Sequence, residues 1–389
     1  MRTIYLDNAA TTPIDPGVRD AMTPWLNEAF FNPSSRYPQG VHASEAIDRA
    51  RSKVARALGA RSGDVTFTAG GTEANNMAVF GLARVKQAAG KSGGRIVIGP
   101  TEHPSVEESA RALVREGFEV VQTTLDSDGR LDLEALDRAL TPETVLVCQM
   151  FVNNEFGSVY PIREVARRVR ARSPRAAIHV DAVQALGKLE LSLEELGVDS
   201  MSASAHKVHA PKGAGSLVTR PNLAMQPLLY GGGQEQGRRS GTENVAGIVA
   251  WGEAARLADE HREASADHYE AIRLAFSDCL GQLDGVRLIE TGAGRDAQCA
   301  AICSVFFPGP PGEVWQHHLE ARGVLVSIGS ACQAKRKGVS PALLALGLGA
   351  DQARQVLRFS FARTTTVDEI QAAGAVMTAV SDELRAIGH

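Results

Sequence analysis

With 389 residues, the chain is long enough for two domains, or one large domain with a satellite, and for a sizeable core. Its 44% apolar and 22% charged residues are ordinary for a globular protein, and a formal net charge of -4 argues against wholesale nucleic-acid binding. No stretch approaches the roughly 18 apolar residues of a membrane span, and residues 1–7 lack the apolar core of a secretory signal, so a cytoplasmic location is expected. The five cysteines, Cys148, Cys279, Cys299, Cys303 and Cys332, are odd in number and widely spread, which predicts free thiols.

A helical pattern runs from Ser44 to Leu58, and Val65–Thr68 reads as the first of several short β-branched strands. The segment that follows contains Gly70, Gly71, Thr72 and Glu73 and opens another helical stretch. Glycines permit close backbone approach, and the unpaired amides of a helix start, with the Thr72 hydroxyl, attract a phosphate. An ordinary capped helix with a glycine turn is the alternative, and the segment is neither a Walker motif nor a GxGxxG fingerprint. Ile96–Ile98 is the next strand, and His103 just beyond it either stacks on a flat cofactor and exchanges protons or, as a solitary histidine, serves the structure. After a helical pattern at Leu133–Leu140, the strand Val145–Cys148 leads to Asn154, and Ile178–Val180 runs into Asp181 and then Gln184. Both amides suit a ring oxygen, or simply a loop. With Gly215–Val218, the alternation of strands and helices predicts an α/β sheet with mostly parallel strands, which collects ligands at the carboxyl ends of its strands.

Lys207, in Ser204-Ala205-His206-Lys207, comes soon after Asp181. An amine able to hold an aldehyde as an imine, and a strand-end carboxylate able to keep a pyridine nitrogen protonated, are what a pyridoxal phosphate site requires. Alone, a lysine is usually a solvated surface group and an aspartate after a strand a turn former. His206 and His209 lack the partners of a metal site, and Cys299 and Cys303 make poor ligands, so no metal is expected.

A long charged helical pattern from Val245 to Leu283 reads as a connector, and the strands Ala301–Phe306 and Val356–Ser360 predict a smaller α/β domain beyond it. Arg358 interrupts an apolar strand, where a guanidinium needs an anionic partner; it offers a fork to a carboxylate, a structural ion pair being equally open. Cys332 is followed by Lys335, Arg336 and Lys337 and by Gly338. An accessible cysteine near cations is a thiolate nucleophile, against the plainer reading of an incidental surface thiol beside a solvated basic run.

Taken in order, Tyr5–Pro13, Asn32–Ser35, Gly71–Glu73, Thr101–His103, Asn153–Glu155, His179–Ala182, the lysine motif, Arg239–Thr242, Gly329–Cys332 and Arg358–Ser360 resemble the cysteine desulfurases of the NifS and IscS kind, class V, fold-type I pyridoxal phosphate enzymes. The resemblance spans nearly the whole chain. It implies a large cofactor-binding domain over residues 15–257 and a small C-terminal domain over 258–389, joined by the N-terminal segment 1–14. It also implies that Lys207 forms the imine with pyridoxal 5'-phosphate, that Asp181 pairs with the ring nitrogen, that His103 stacks on the ring and that Gln184 meets its phenolic oxygen. Gly71, Thr72, Ser204 and His206 would hold the phosphate, joined by Thr242 from a second subunit of a homodimer. Asn154 would lie against cofactor and substrate, sharing the substrate carboxylate with Arg358. Cys332 would take the sulfur of L-cysteine as a persulfide, releasing L-alanine, and pass it to a protein acceptor such as an iron-sulfur scaffold or a tRNA-thiolation protein.

Two departures stand out: Ala205 replaces the family's usual glycine, and Tyr37 stands where a histidine commonly follows Asn-Pro-Ser-Ser. A selenocysteine lyase on the same scaffold is the nearest alternative. A catalytically silent subunit of the same fold that binds partners is the alternative of another class, and the presence of Lys207, Asp181 and Cys332 opposes it.

Overall fold

The computed structural model describes residues 3–88, 93–292, 294, 296–329 and 339–386. Twelve strands are assigned among them: β1 (Ile4–Tyr5), β2 (Val65–Thr68), β3 (Arg95–Ile98), β4 (Glu119–Gln122), β5 (Thr144–Met150), β6 (Ala177–Asp181), β7 (Ser200–Ser204), β8 (Gly215–Thr219), β9 (Arg287–Ile289), β10 (Ile302–Phe306), β11 (Val324–Leu325) and β12 (Val356–Ser360). Seven of them form one sheet in the order β2-β8-β7-β6-β5-β3-β4. The strands from β4 across to β7 pair in parallel, whereas β8 runs antiparallel to both β7 and β2. β6 and β7 are buried along their whole length, as expected for strands covered on both faces by helices.

The register sets Met150 of β5 beside Asp181 of β6, and Asp181 beside Ser202 of β7, so the carboxyl ends of these central strands lie level and their following loops converge. Helix α1 (Pro38–Ala57) packs on one side of the molecule; α2 (Gly71–Ala88) and α3 (Pro104–Leu113) pack against each other, with Met77, Val79, Leu82, Val106 and Leu113 buried in a shared apolar cluster with Ile96, Ile98 and Leu146. Proline in the first turn of α1 and α3 suits the helix start, where an N–H has no partner to lose.

The helical pattern read as continuous over 245–283 is two helices, α4 (Val245–Glu260) and α5 (Arg262–Leu280), with His261 between them outside helical geometry at φ -97° and ψ 4°. The break lets one stretch serve two layers. α4 packs on α1, and α5 packs on the last helix, α6 (Val367–Ala386).

β12, β10 and β9 make a separate antiparallel sheet, and β1 pairs with β11. The N-terminal segment thus begins against the C-terminal part of the chain: Asn8 donates from backbone and side chain to the Ser360 carbonyl, and Ser360 Oγ accepts from the Ala9 N–H. It then crosses to the loops after the large sheet, where the Thr12 N–H donates to the His206 carbonyl. Among the described residues no helix is long and apolar enough to cross a membrane.

Candidate functional site

A cavity of about 180 Å³ opens where the loops after β5, β6 and β7 converge, closed on one side by Ala9 and Ala10. Its lining brings together Gly71, Thr72, His103, Asn154, Asp181, Gln184, Ser204, His206, Lys207 and Arg358. Thr242 does not line it and lies exposed on the surface. Cys332, Lys335, Arg336 and Lys337 fall outside the described residues.

Lys207 ends a single 3-10 turn, Ala205–Lys207, that follows β7 directly. Its Nζ donates to the carbonyls of Ala9 at 2.5 Å and Ala10 at 2.8 Å. Asp181 ends β6 and is 5% exposed; its Oδ1 accepts from the Val183 N–H at 3.0 Å and its Oδ2 from Asn75 Nδ2 at 2.8 Å. His103 precedes α3 and caps it, its Nδ1 accepting from the Ser105 N–H at 3.1 Å. Burial pushes the pKa of His103 down, opposed by the Asp181 charge and reinforced by Lys207. His206 is lowered to about 4 by burial, with Lys207 and Lys212 adding to it. Both imidazoles therefore stay neutral near pH 7, suited to hydrogen bonding and proton exchange rather than to holding charge.

These residues fit pyridoxal phosphate. α2 starts at the cavity with Gly71, where an added Cβ would lie 2.7 Å from Val183 Cγ2, so glycine alone lets the first turn sit this close to the loop after β6. Its early N–H groups, with Thr72 and Ser204 beside them, suit a phosphate dianion. Gln184 donates through Nε2 to the Ala9 carbonyl at 3.0 Å, and its Oε1 is buried with no hydrogen-bond partner among the described residues, so a polar group is wanted there. A second incomplete group is Arg358. Its Nη2 meets Asp7 Oδ1 at 2.6 Å and its Nη1 the Asn154 carbonyl at 2.9 Å, while Nε is buried and has no hydrogen-bond partner among the described residues. The fork is thus both a structural ion pair and a donor with capacity left for an entering carboxylate. Asn154 lines the cavity, and it is its backbone carbonyl that holds Arg358.

Sequence reasoning passed over Asn75, Ser105, His179 and the carbonyls of Ala9 and Ala10. Asn75 lies three residues after Thr72, hence on the same helix face, and His179 two before Asp181, hence on the same strand face. Those spacings were the available signal.

The aminotransferase class-V family model matches residues 4–373. Cysteine desulfurase 2 of Trichormus variabilis is 38% identical over 387 residues, covering 100% of this chain and 95% of the relative. Among solved structures, one described as a NifS-like protein superposes with a TM-score of 0.90 at 34% identity, covering 98% of this chain and 100% of the other. Another, described as SspA in complex with cysteine, has a TM-score of 0.80 at 33% identity and covers 92% of this chain and 99% of its own.

Proposed function

The chain belongs to the aminotransferase class-V family, and on that premise we propose that it is a pyridoxal 5'-phosphate-dependent L-cysteine desulfurase. The observation that carries this reading is the meeting of an amine, a strand-end carboxylate, an imidazole and a guanidinium around one cavity. Lys207 would tether the cofactor, Asp181 pair with its ring nitrogen, His103 lie on its ring, and Gln184 meet its phenolic oxygen. Gly71, Thr72, Ser204 and His206 would hold its phosphate. When bound, the cofactor supplies an electron-accepting ring that stabilises negative charge at the substrate α-carbon.

The protein does the rest. Arg358 and Asn154 orient the substrate carboxylate. The Lys207 amine would remove and return the substrate α-proton. The Cys332 thiolate attacks the substrate sulfur, the Cβ–S bond breaks, and a proton replaces sulfur on the carbon. Cysteine and a protein thiol thus become alanine and a protein persulfide, with no external oxidant. Cys148, Cys279, Cys299 and Cys303 all have thiol pKa values raised chiefly by burial, which leaves them poor nucleophiles and favours Cys332 for the role.

The working unit would be a homodimer in which Thr242, exposed on the surface of this subunit, completes the neighbouring phosphate site. The division into residues 15–257 and 258–389, joined by 1–14, is supported by the sheets: β2 to β8 fall in the first part, β9, β10 and β12 in the second. The acceptor would be a protein of iron-sulfur assembly or tRNA thiolation, in the cytoplasm. Loading apoprotein with the cofactor and adding L-cysteine with a thiol reductant tests the reading. Equimolar alanine and sulfide are expected; pyruvate and ammonia, or no turnover, would reject it.

A further inference from the structure

We propose that Asn75 is a positioning residue that sets the direction of a hydrogen-bond chain joining Asp181, His179 and His103, and so fixes which ring nitrogen of His179 carries the proton. Only the facing of Asp181 and His103 toward a cofactor rests on the function proposed above.

Asp181 can only accept, so the Asn75 atom 2.8 Å from its Oδ2 must be the amide nitrogen, which settles an orientation that shape alone leaves ambiguous. The second hydrogen on Nδ2 goes to Ser105 Oγ, also at 2.8 Å. The amide oxygen is then left facing His179 Nε2 at 3.0 Å, so Nε2 must donate. His179 Nδ1, 2.9 Å from Ser200 Oγ, must accept from that hydroxyl.

The other arm runs to His103. Having accepted from Asn75, the Ser105 hydroxyl turns its own hydrogen to His103 Nδ1 at 2.7 Å, where the Ser105 N–H also donates. An Nδ1 that accepts twice cannot carry a proton, so neutral His103 holds it on Nε2. Asn75, at 1% exposure, and His179 and Ser200, at 0%, are sealed from water, so no solvent competes for these bonds. Burial pushes both imidazoles down; Asp181 opposes this at each, and Lys207 adds to it at His103. The chain thus presents His103 as an Nε2–H donor and holds Oδ2 of Asp181 in place.

The test is long-range proton–nitrogen NMR of histidine-labelled apoprotein, together with cofactor titration of the same samples. Wild type is expected to show His103 and His179 both protonated at Nε2. In Asn75→Leu, His179 loses its acceptor and its proton moves to Nδ1, toward Ser200. His103 stays as it is, because the Ser105 N–H remains, and cofactor binding weakens about tenfold or more through the lost bond to Asp181. Asn75→Asp keeps an acceptor for His179, which should remain Nε2–H but titrate at higher pH, so the proposal stays testable if the leucine variant does not fold. A wild-type His179 protonated at Nδ1, or an Asn75→Leu variant with the His179 tautomer unchanged, would overturn it. Failure of the desulfurase reading alone would leave the tautomers in place.

Discussion

Arg358 holds Asp7 at 2.6 Å across 351 positions of sequence, and through it the C-terminal sheet is tied to the strip of chain that covers the cavity. The Arg358 side chain is only 2% exposed and that of Asp7 18%, so neither is easily resolvated if the other is lost.

Asp7→Ala should therefore destabilise the protein by about 3 kcal/mol or more, the usual cost of stranding one member of a buried pair. Arg358→Lys keeps a charge but loses the fork. It should raise KM for cysteine more than it lowers kcat. Denaturant unfolding and steady-state kinetics check the two; an unaltered KM in the lysine variant would remove Arg358 from substrate binding.

Lys207→Ala should abolish the visible absorption of the cofactor imine and reduce alanine formation to background while leaving the unfolding transition near that of wild-type apoprotein. The side chain is spent on two carbonyl hydrogen bonds rather than on core packing. Absorbance, alanine analysis and thermal melting of the apoproteins together decide it.

Glu102 is buried beside the site, its Oε1 accepting from the Met150 N–H at 2.6 Å. Burial first, and then the Asp181 charge, push its pKa up to about 8 from an ordinary 4.5. The folded protein thus keeps a proton that the unfolded chain releases, and stability falls as pH rises from about 4.5 to about 8. The lowered histidines, His179 at about 4 among them, act with opposite sign chiefly below the ordinary 6.5, and the buried Lys188 counts alike in wild type and variant, so the difference between wild type and Glu102→Gln from pH 6.5 to 8 reports Glu102. Wild type should lose on the order of 2 kcal/mol across that window, and Glu102→Gln should lose much less. Urea midpoints at the two pH values supply the comparison.

Much of this site was legible because its residues sit at strand ends: Asp181 after an apolar run and His103 after Ile96–Ile98 announce themselves by position. β7 was not, since Ser200-Met201-Ser202-Ala203-Ser204 has neither β-branched residues nor an apolar run, and only its burial between β6 and β8 makes it a strand. The break at His261 carries no glycine or proline; it arises because the two halves pack on different helices. Asn75 had only its spacing from Thr72 to mark it, for a related reason. Its meaning depends on Asp181, 106 positions away, and on His179, 104 away, brought to one point by the fold.

Sulfur is expected to leave cysteine for Cys332. Apoprotein loaded with pyridoxal 5'-phosphate, given one equivalent of sulfur-labelled L-cysteine without reductant, trapped by alkylation and digested, can be read by peptide mass spectrometry. One labelled persulfide sulfur on the Cys332 peptide with one alanine released is the predicted result, and Cys332→Ser should release almost none. Label on the peptide of Cys148, Cys279, Cys299 or Cys303, or alanine formed in full by Cys332→Ser, would contradict it.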